Sequence, residues 1–164
     1  MKKFVAVAGN IGVGKSTLVA MLCDRLGWEP FYEPVVENPY LPDFYRDMSS
    51  WAFQSQVFFL TQRLRAHHQL LAHPTSSVQD RSVYEDAGVF AENLYRQGFM
   101  LERDYRTYRD LYEVLIEFLA PPDLVLYLRA STPTLVNRIE KRARSYERSI
   151  SQEYLDQLNG LYEE

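Results

Sequence analysis

Nine consecutive residues, Gly9-Asn10-Ile11-Gly12-Val13-Gly14-Lys15-Ser16-Thr17, follow the apolar run Phe4 to Ala8 and match G-x-x-x-x-G-K-[ST] at every fixed position. Such a run binds nucleotide phosphates. Its glycines let backbone N–H groups turn inward around phosphate oxygens, and the helix that starts there adds the positive end of its dipole. Lys15 is placed to neutralise the outer phosphates, and Ser16 to offer a hydroxyl to Mg²⁺. A plain glycine turn between strand and helix would not require Lys-Ser at that spacing. The loop alone leaves open whether the nucleotide serves phosphoryl transfer, switching or mechanical work.

Further candidates fall just after apolar runs or on helices. Glu33 precedes Pro34, which holds it extended, and a carboxylate there can accept the proton of an attacking hydroxyl; a surface glutamate at a strand end is an equal alternative. Asp80-Arg81-Ser82 reads as a helix entry with Asp or Ser as N-cap, or as a phosphate site. In the second reading Asp80 joins the Mg²⁺ shell and Arg81 meets the acceptor oxygen or incoming phosphate. Acid and arginine side by side favour the site. Gln56 and Arg63 lie seven residues apart, on one helix face. Gln pairs with a nucleobase amide edge and Arg donates to a ring nitrogen or carbonyl. The neighbouring Phe53, Phe58 and Phe59 make this helix too aromatic for a solvated one, and Asp86 can complete the polar end of a base pocket.

The last constellation is Arg138, Arg142, Arg144 and Arg148. Glu140 and Arg144 are spaced as an ion pair on a solvated face, but Arg138 and Arg142 are like charges at i,i+4, which costs stability unless an anion arrives. Phosphoryl transfer spreads charge over equatorial oxygens and needs such cations. The stretch therefore reads as a mobile arginine lid near 138–148.

These residues need a scaffold that gathers strand ends along one edge. Short apolar runs bounded by turn signals alternate with helical stretches, the pattern of an α/β fold with a parallel sheet covered by helices. Strands are expected near 3–8, 29–33, 76–80 and 123–128. Helices are expected over 15–26, 50–72, 83–96, 103–119, 132–144 and 151–163, with a short one from Leu41 to Asp47. Pro121-Pro122 closes the helix over 103–119, and Ser131-Thr132-Pro133 opens the next. In an open parallel sheet ligands lie beyond the carboxyl ends of the strands, where the loop, Glu33 and Asp80-Arg81-Ser82 all fall.

Composition bounds the partners. A length of 164 residues suits one domain. A net charge of −4 disfavours general electrostatic binding to nucleic acid. No apolar stretch approaches a membrane span, and Lys2-Lys3 leads into the phosphate loop rather than a signal peptide, so a cytoplasmic location is expected. The lone Cys23 has no Cys or His cluster around it and reads as an inert thiol.

Taken together, the chain resembles the deoxynucleoside kinases, the family of deoxycytidine, deoxyguanosine and mitochondrial thymidine kinases and their bacterial purine-specific relatives. The motifs that carry the resemblance are the Gly9 to Thr17 loop, Glu33-Pro34-Val35, Tyr45…Trp51…Gln56…Arg63, Asp80-Arg81-Ser82-Val83-Tyr84, Tyr127-Leu128-Arg129 and Arg142-Ala-Arg144-Ser-Tyr-Glu147. Their order and spacing span essentially the whole chain. The resemblance implies a three-layer P-loop kinase fold with strand order 2-3-1-4, ATP and Mg²⁺, a homodimer through the long helices, and transfer of the γ-phosphate to the 5′-hydroxyl of a deoxynucleoside. It implies Glu33 as base with Arg81 beside it, and Tyr45 and Glu147 on the 3′-hydroxyl. Gln56 would bond the base, with Gln54 as fallback. Arg63 and Asp86 match the pair of members that accept purines or deoxycytidine and disfavour thymidine. Arg138, Arg142 and Arg144 match lid arginines around the transferred phosphate. Family members continue into a fifth edge strand and an adenine-covering loop, which this sequence, closing on Tyr162-Glu163-Glu164, is expected to lack.

A thymidylate-type monophosphate kinase shares the loop, an Asp-Arg pair and an arginine lid. Glu33-Pro34 favours a hydroxyl acceptor over it, because a phosphate acceptor is already ionised and calls for an arginine at that place. A GTPase switch needs an Asn-Lys-x-Asp segment, which the sequence lacks, and intact Lys15, Glu33 and Asp80 argue against a module that binds nucleotide without chemistry.

Overall fold

The computed structural model describes residues 1–33, 38–144, 147 and 150–164. Pro34 and Val35 of the Glu33 motif, and Ser145, Tyr146 and Arg148 of the arginine stretch, lie outside them.

The apolar run at the N-terminus forms β1 (Phe4–Gly9), buried along its whole length. A strand buried on both faces must sit mid-sheet, and β1 does. It pairs in parallel with β3 (Ser77–Asp80) on one side and β4 (Leu124–Leu128) on the other, and β2 (Glu29–Phe31) adds to β3, giving the order β2-β3-β1-β4. Register does the functional work. Val7 pairs with Asp80, Gly9 with Leu128, and Phe31 with Gln79. The phosphate loop, Asp80-Arg81 and Glu33, two residues past the end of β2, therefore emerge from the same edge.

Helices cover both faces. α1 (Lys15–Leu26) starts directly from the loop with Gly14 at its N-cap and ends at Gly27, whose left-handed backbone (φ 66°) lets its N–H reach the Cys23 carbonyl. Its Val19 and Cys23 pack on Val5, Val7 and Val78. On the other face Phe4 and Ala6 meet Leu70 of α3 (Met48–Ala72), which follows the short α2 (Leu41–Arg46). Next come α4 (Val83–Glu85), a π-helical segment (Asp86–Ala91) and α5 (Glu92–Arg96), which run as one continuous helix. Tyr108 and Tyr112 of α6 (Glu102–Ile116) close a core with Leu60, Val83, Ala87 and Ala91. α7 (Thr132–Arg142) and α8 (Gln152–Glu163) supply Leu135, Ile139 and Leu155, which pack on Val13 of the loop. No helix among the described residues is long and apolar enough to cross a membrane.

Three differences from the sequence expectations bear on the site. The helix expected over 83–96 contains the π-helical segment, one extra residue per turn, starting at Asp86. The helix expected to 119 ends at Ile116, before the prolines. The helix expected over 132–144 stops at Arg142, because Ala143 takes a left-handed backbone (φ 54°). Arg144 is thereby taken off the helix and lies 3.5 Å from Glu147.

Candidate active site

A cleft of ≈ 620 Å³ opens at the carboxyl edge of the sheet, lined by the phosphate loop, by residues of α3 and the π-helical segment, and by Arg138, Arg142, Arg144 and Glu147. Two glycines make the loop wall possible. A Cβ on Gly9 (φ 148°) would stand 2.7 Å from the Leu128 carbonyl and 2.9 Å from Val13 Cγ1; one on Gly12 (φ 80°) would stand 3.0 Å from Ile139 Cγ1. The Asn10 amide anchors the loop to α8 by donating to Leu155 O (2.9 Å) and Asn159 Oδ1 (2.8 Å). Ile11, Gly14, Ser16 and Thr17 face the cleft.

Lys15 is buried and donates to the carbonyls of Gly9 and Asn10, each at 2.9 Å. Burial, helped by the Arg81 charge, lowers its pKa to about 7 against the pull of Glu33, Glu85 and Asp80. An incoming polyphosphate supplies the charge this ammonium lacks. The Ser16 hydroxyl donates to Asp80 Oδ2, and Asp80 Oδ1 is buried with no hydrogen-bond partner among the described residues. One hydroxyl and one orphaned carboxylate oxygen are what a protein contributes to a Mg²⁺ held mainly by substrate phosphates, so these two residues fit that ion.

Across the cleft, Glu33 is clamped between two arginines. Arg63 Nη2 donates to its Oε1 at 2.5 Å and Arg81 Nε to its Oε2 at 3.3 Å. The Glu33 side chain is 23% exposed and those of Arg63 and Arg81 only 3% and 4%, so the carboxylate is the member a ligand can reach. Burial pushes its pKa up, but Arg63, Arg81 and Lys15 together outweigh burial and hold it well below the usual carboxylate range. Arg81 has a left-handed backbone (φ 64°), uncommon for a non-glycine residue and typical of strain kept at a functional site. Its N–H bonds to Val7 O at 3.0 Å, and its guanidinium lies 4.4 Å from the Phe90 ring centroid.

Deeper in, Gln56 Oε1, Arg63 Nε and Asp86 Oδ2 are all buried without a hydrogen-bond partner among the described residues. The last two stand 3.2 Å apart as an ion pair. Burial raises the Asp86 pKa to about 7, against the pull of Arg63 and Arg81. A buried amide oxygen without a partner, beside a buried ion pair, calls for a ligand edge with donors and acceptors. Gln56 lines that cleft while Gln54 is exposed.

Tyr45 and Glu147 line the cleft too. Glu147 is buried and takes two bonds from Arg142, Nε to Oε2 at 3.0 Å and Nη2 to Oε1 at 2.5 Å. Arg138 donates to the Val13 carbonyl at 2.7 Å. The two like charges at i,i+4 are thus parted, one toward the loop and one toward Glu147.

Sequence reasoning missed Glu85, Phe90 and Tyr162. Glu85 was legible only as the fourth member of a Ser82-x-x-Glu85 capping box. That motif accounts for its Oε2, which accepts from Ser82 N at 2.7 Å, but not for its Oε1, which accepts from Gly9 N at 3.1 Å.

The deoxynucleoside kinase family model matches residues 5–164. The deoxyadenosine/deoxycytidine kinase of Bacillus subtilis is 39% identical over 161 residues, covering 97% of this chain and 74% of that one. The deoxyadenosine kinase of Dictyostelium discoideum is also 39% identical, over 98% of this chain and 65% of its own length. The solved structure of deoxyadenosine kinase from M. mycoides with bound dATP superposes with a TM-score of 0.88 at 38% identity, covering 98% of this chain and 82% of that one. A phosphate loop, a clamped carboxylate and a polar-ended cleft on this sheet thus agree with sequence likeness along nearly all of this chain, and the chain belongs to the deoxynucleoside kinase family.

Proposed function

We propose that the protein transfers the γ-phosphate of ATP to the 5′-hydroxyl of a deoxynucleoside, deoxyadenosine or deoxyguanosine first and deoxycytidine next. The observation that carries this reading is Glu33, the cleft-exposed carboxylate held between Arg63 and Arg81 opposite the phosphate loop. An acceptor hydroxyl needs a proton acceptor there. Glu33 takes the hydroxyl proton, the 5′-oxygen bonds to the γ-phosphorus, and the bond to the β,γ-bridging oxygen breaks as ADP leaves. A strongly acidic carboxylate suffices, because the transition state is loose and the proton is needed late. Lys15 and Arg138 exchange loop carbonyls for donor phosphates, and Arg142 and Arg144 stand ready beside Glu147 for the transferred group. Mg²⁺, held by Ser16 and Asp80, would neutralise charge on the β- and γ-oxygens.

On the acceptor side, Tyr45 and Glu147 are assigned to the 3′-hydroxyl, and Gln56, Arg63 and Asp86 to the base. A homodimer through α3 and α6 belongs to the same proposal, supported by the exposed Leu111, Val114 and Phe118. Initial rates with MgATP and deoxyadenosine, deoxyguanosine, deoxycytidine, thymidine or thymidylate test it. The purine deoxynucleosides are expected to lead; thymidylate as the only good acceptor would overturn it.

Asp86 also predicts a pH effect on base choice. Above pH about 7 its carboxylate accepts from the adenine amino group; below, the protonated acid donates to the guanine carbonyl. The ratio of kcat/KM for deoxyadenosine over deoxyguanosine is expected to rise between about pH 6 and 8. A flat ratio removes Asp86 from base reading.

A further inference from the structure

We propose that the Tyr162 hydroxyl is a positioning group for the transfer: it braces Arg81 and becomes the donor to the Gly9 carbonyl when Lys15 turns from that carbonyl to the phosphates. The inference rests on the phosphoryl-transfer reading above. Tyr162 Oη lies 2.7 Å from Glu85 Oε1, 3.0 Å from Gly9 O and 3.4 Å from Arg81 Nη1. A phenol has one proton, so it serves one of the two acceptors at a time while accepting from Arg81.

Lys15 Nζ serves Gly9 O at 2.9 Å. The Tyr162 proton then belongs with the closer, charged Glu85. A bound polyphosphate draws Lys15 away, and a buried carbonyl left without a donor is costly. Gly9 cannot swing to find another, because it is paired with Leu128 and has no free space around its Cα. The hydroxyl reaches it by rotating a single proton. Glu85 Oε1 meanwhile keeps the Gly9 N–H, so both sides of that peptide group stay held.

The ring is fixed for this task. Tyr162 stacks on Tyr127 with centroids 5.6 Å apart and planes at 16°. Burial, then the Glu85 charge, raises its pKa well above the ordinary phenol value, so it remains a proton donor at every working pH. The same helix, α8, anchors Asn10 through Leu155 and Asn159. One helix therefore holds the first two loop residues and, through Tyr162, touches the arginine that clamps Glu33.

The test is Tyr162→Phe, which keeps the ring and its stacking. Turnover is expected to fall roughly tenfold and KM for ATP to rise, with KM for the deoxynucleoside and the ligand-free melting temperature close to wild type. Paired with Glu85→Gln, the loss is expected to be non-additive, since both act on Gly9. Unchanged kinetics, or a fall in turnover matched by equal losses in nucleoside KM and melting temperature, would overturn the inference. The rise in melting temperature caused by MgATP is read on the same samples without an acceptor. It is expected to shrink in Tyr162→Phe, and an undiminished rise overturns the positioning role even if deoxynucleosides prove not to be the acceptors.

Discussion

Glu33→Gln is expected to lower turnover by about a hundredfold or more while leaving deoxynucleoside binding nearly intact, the scale of losing a general base. The amide keeps the size of the side chain and still offers an oxygen, so the cleft keeps its shape. It cannot take the hydroxyl proton. Its effect also spreads along the clamp. Arg63 donates to Glu33 and faces Asp86, and Glu33 is one of the charges that raise the Asp86 pKa. Removing the Glu33 charge leaves Asp86 as the partner of Arg63, so its pKa falls from about 7. The pH at which the adenine-to-guanine preference changes is expected to move down in this variant. Unchanged turnover would remove Glu33 from the mechanism.

Arg63→Met carries the second large effect, in two parts. Discrimination against thymidine is expected to relax, because the donor facing the base edge is gone. Stability is expected to drop as well, by about 3–5 kcal/mol, the cost of stripping the partner from a buried charge. The pH dependence separates the two parts. An acid whose folded pKa is raised above its unfolded value contributes stability that is full below the unfolded pKa and lost as pH rises through the folded one. Loss of Arg63 raises the Asp86 pKa further, while the Glu33 charge loses a partner at both ends of the range, so the variant should lose less stability near pH 5 than at pH 8 to 9. Adding Asp86→Asn should restore much of the loss at high pH. Melting curves at the two ends of that range, with kcat/KM for thymidine against deoxyadenosine, check both parts. An unaltered substrate profile would mean that the base pocket has been misassigned.

The phosphate loop was readable because it rests on local chemistry, whereas the order β2-β3-β1-β4 followed from the family resemblance. Five apolar residues before a glycine run make a buried strand, and the glycines answer a positive-φ backbone that side chains rarely adopt, while Lys15 and Ser16 supply the ammonium and the hydroxyl. Gln56 and Arg63 were readable as a pair because seven residues bring side chains back to one helix face. The clamp on Glu33 was not, since it joins residues 30 and 48 positions apart, and no local pattern records that. Tyr162, 153 positions from Gly9, was hidden for the same reason. Arg144 was expected on the helix over 132–144; the left-handed turn at Ala143 takes it off and lets it reach the buried Glu147.

The central claim is tested most directly by the position of the transferred phosphate. With wild-type protein, MgATP and deoxyadenosine, ³¹P NMR of the product should show a phosphomonoester split by the two 5′-methylene protons, formed one for one with ADP. A phosphate on the 3′-oxygen, or ADP released without any phosphorylated nucleoside, would contradict the account.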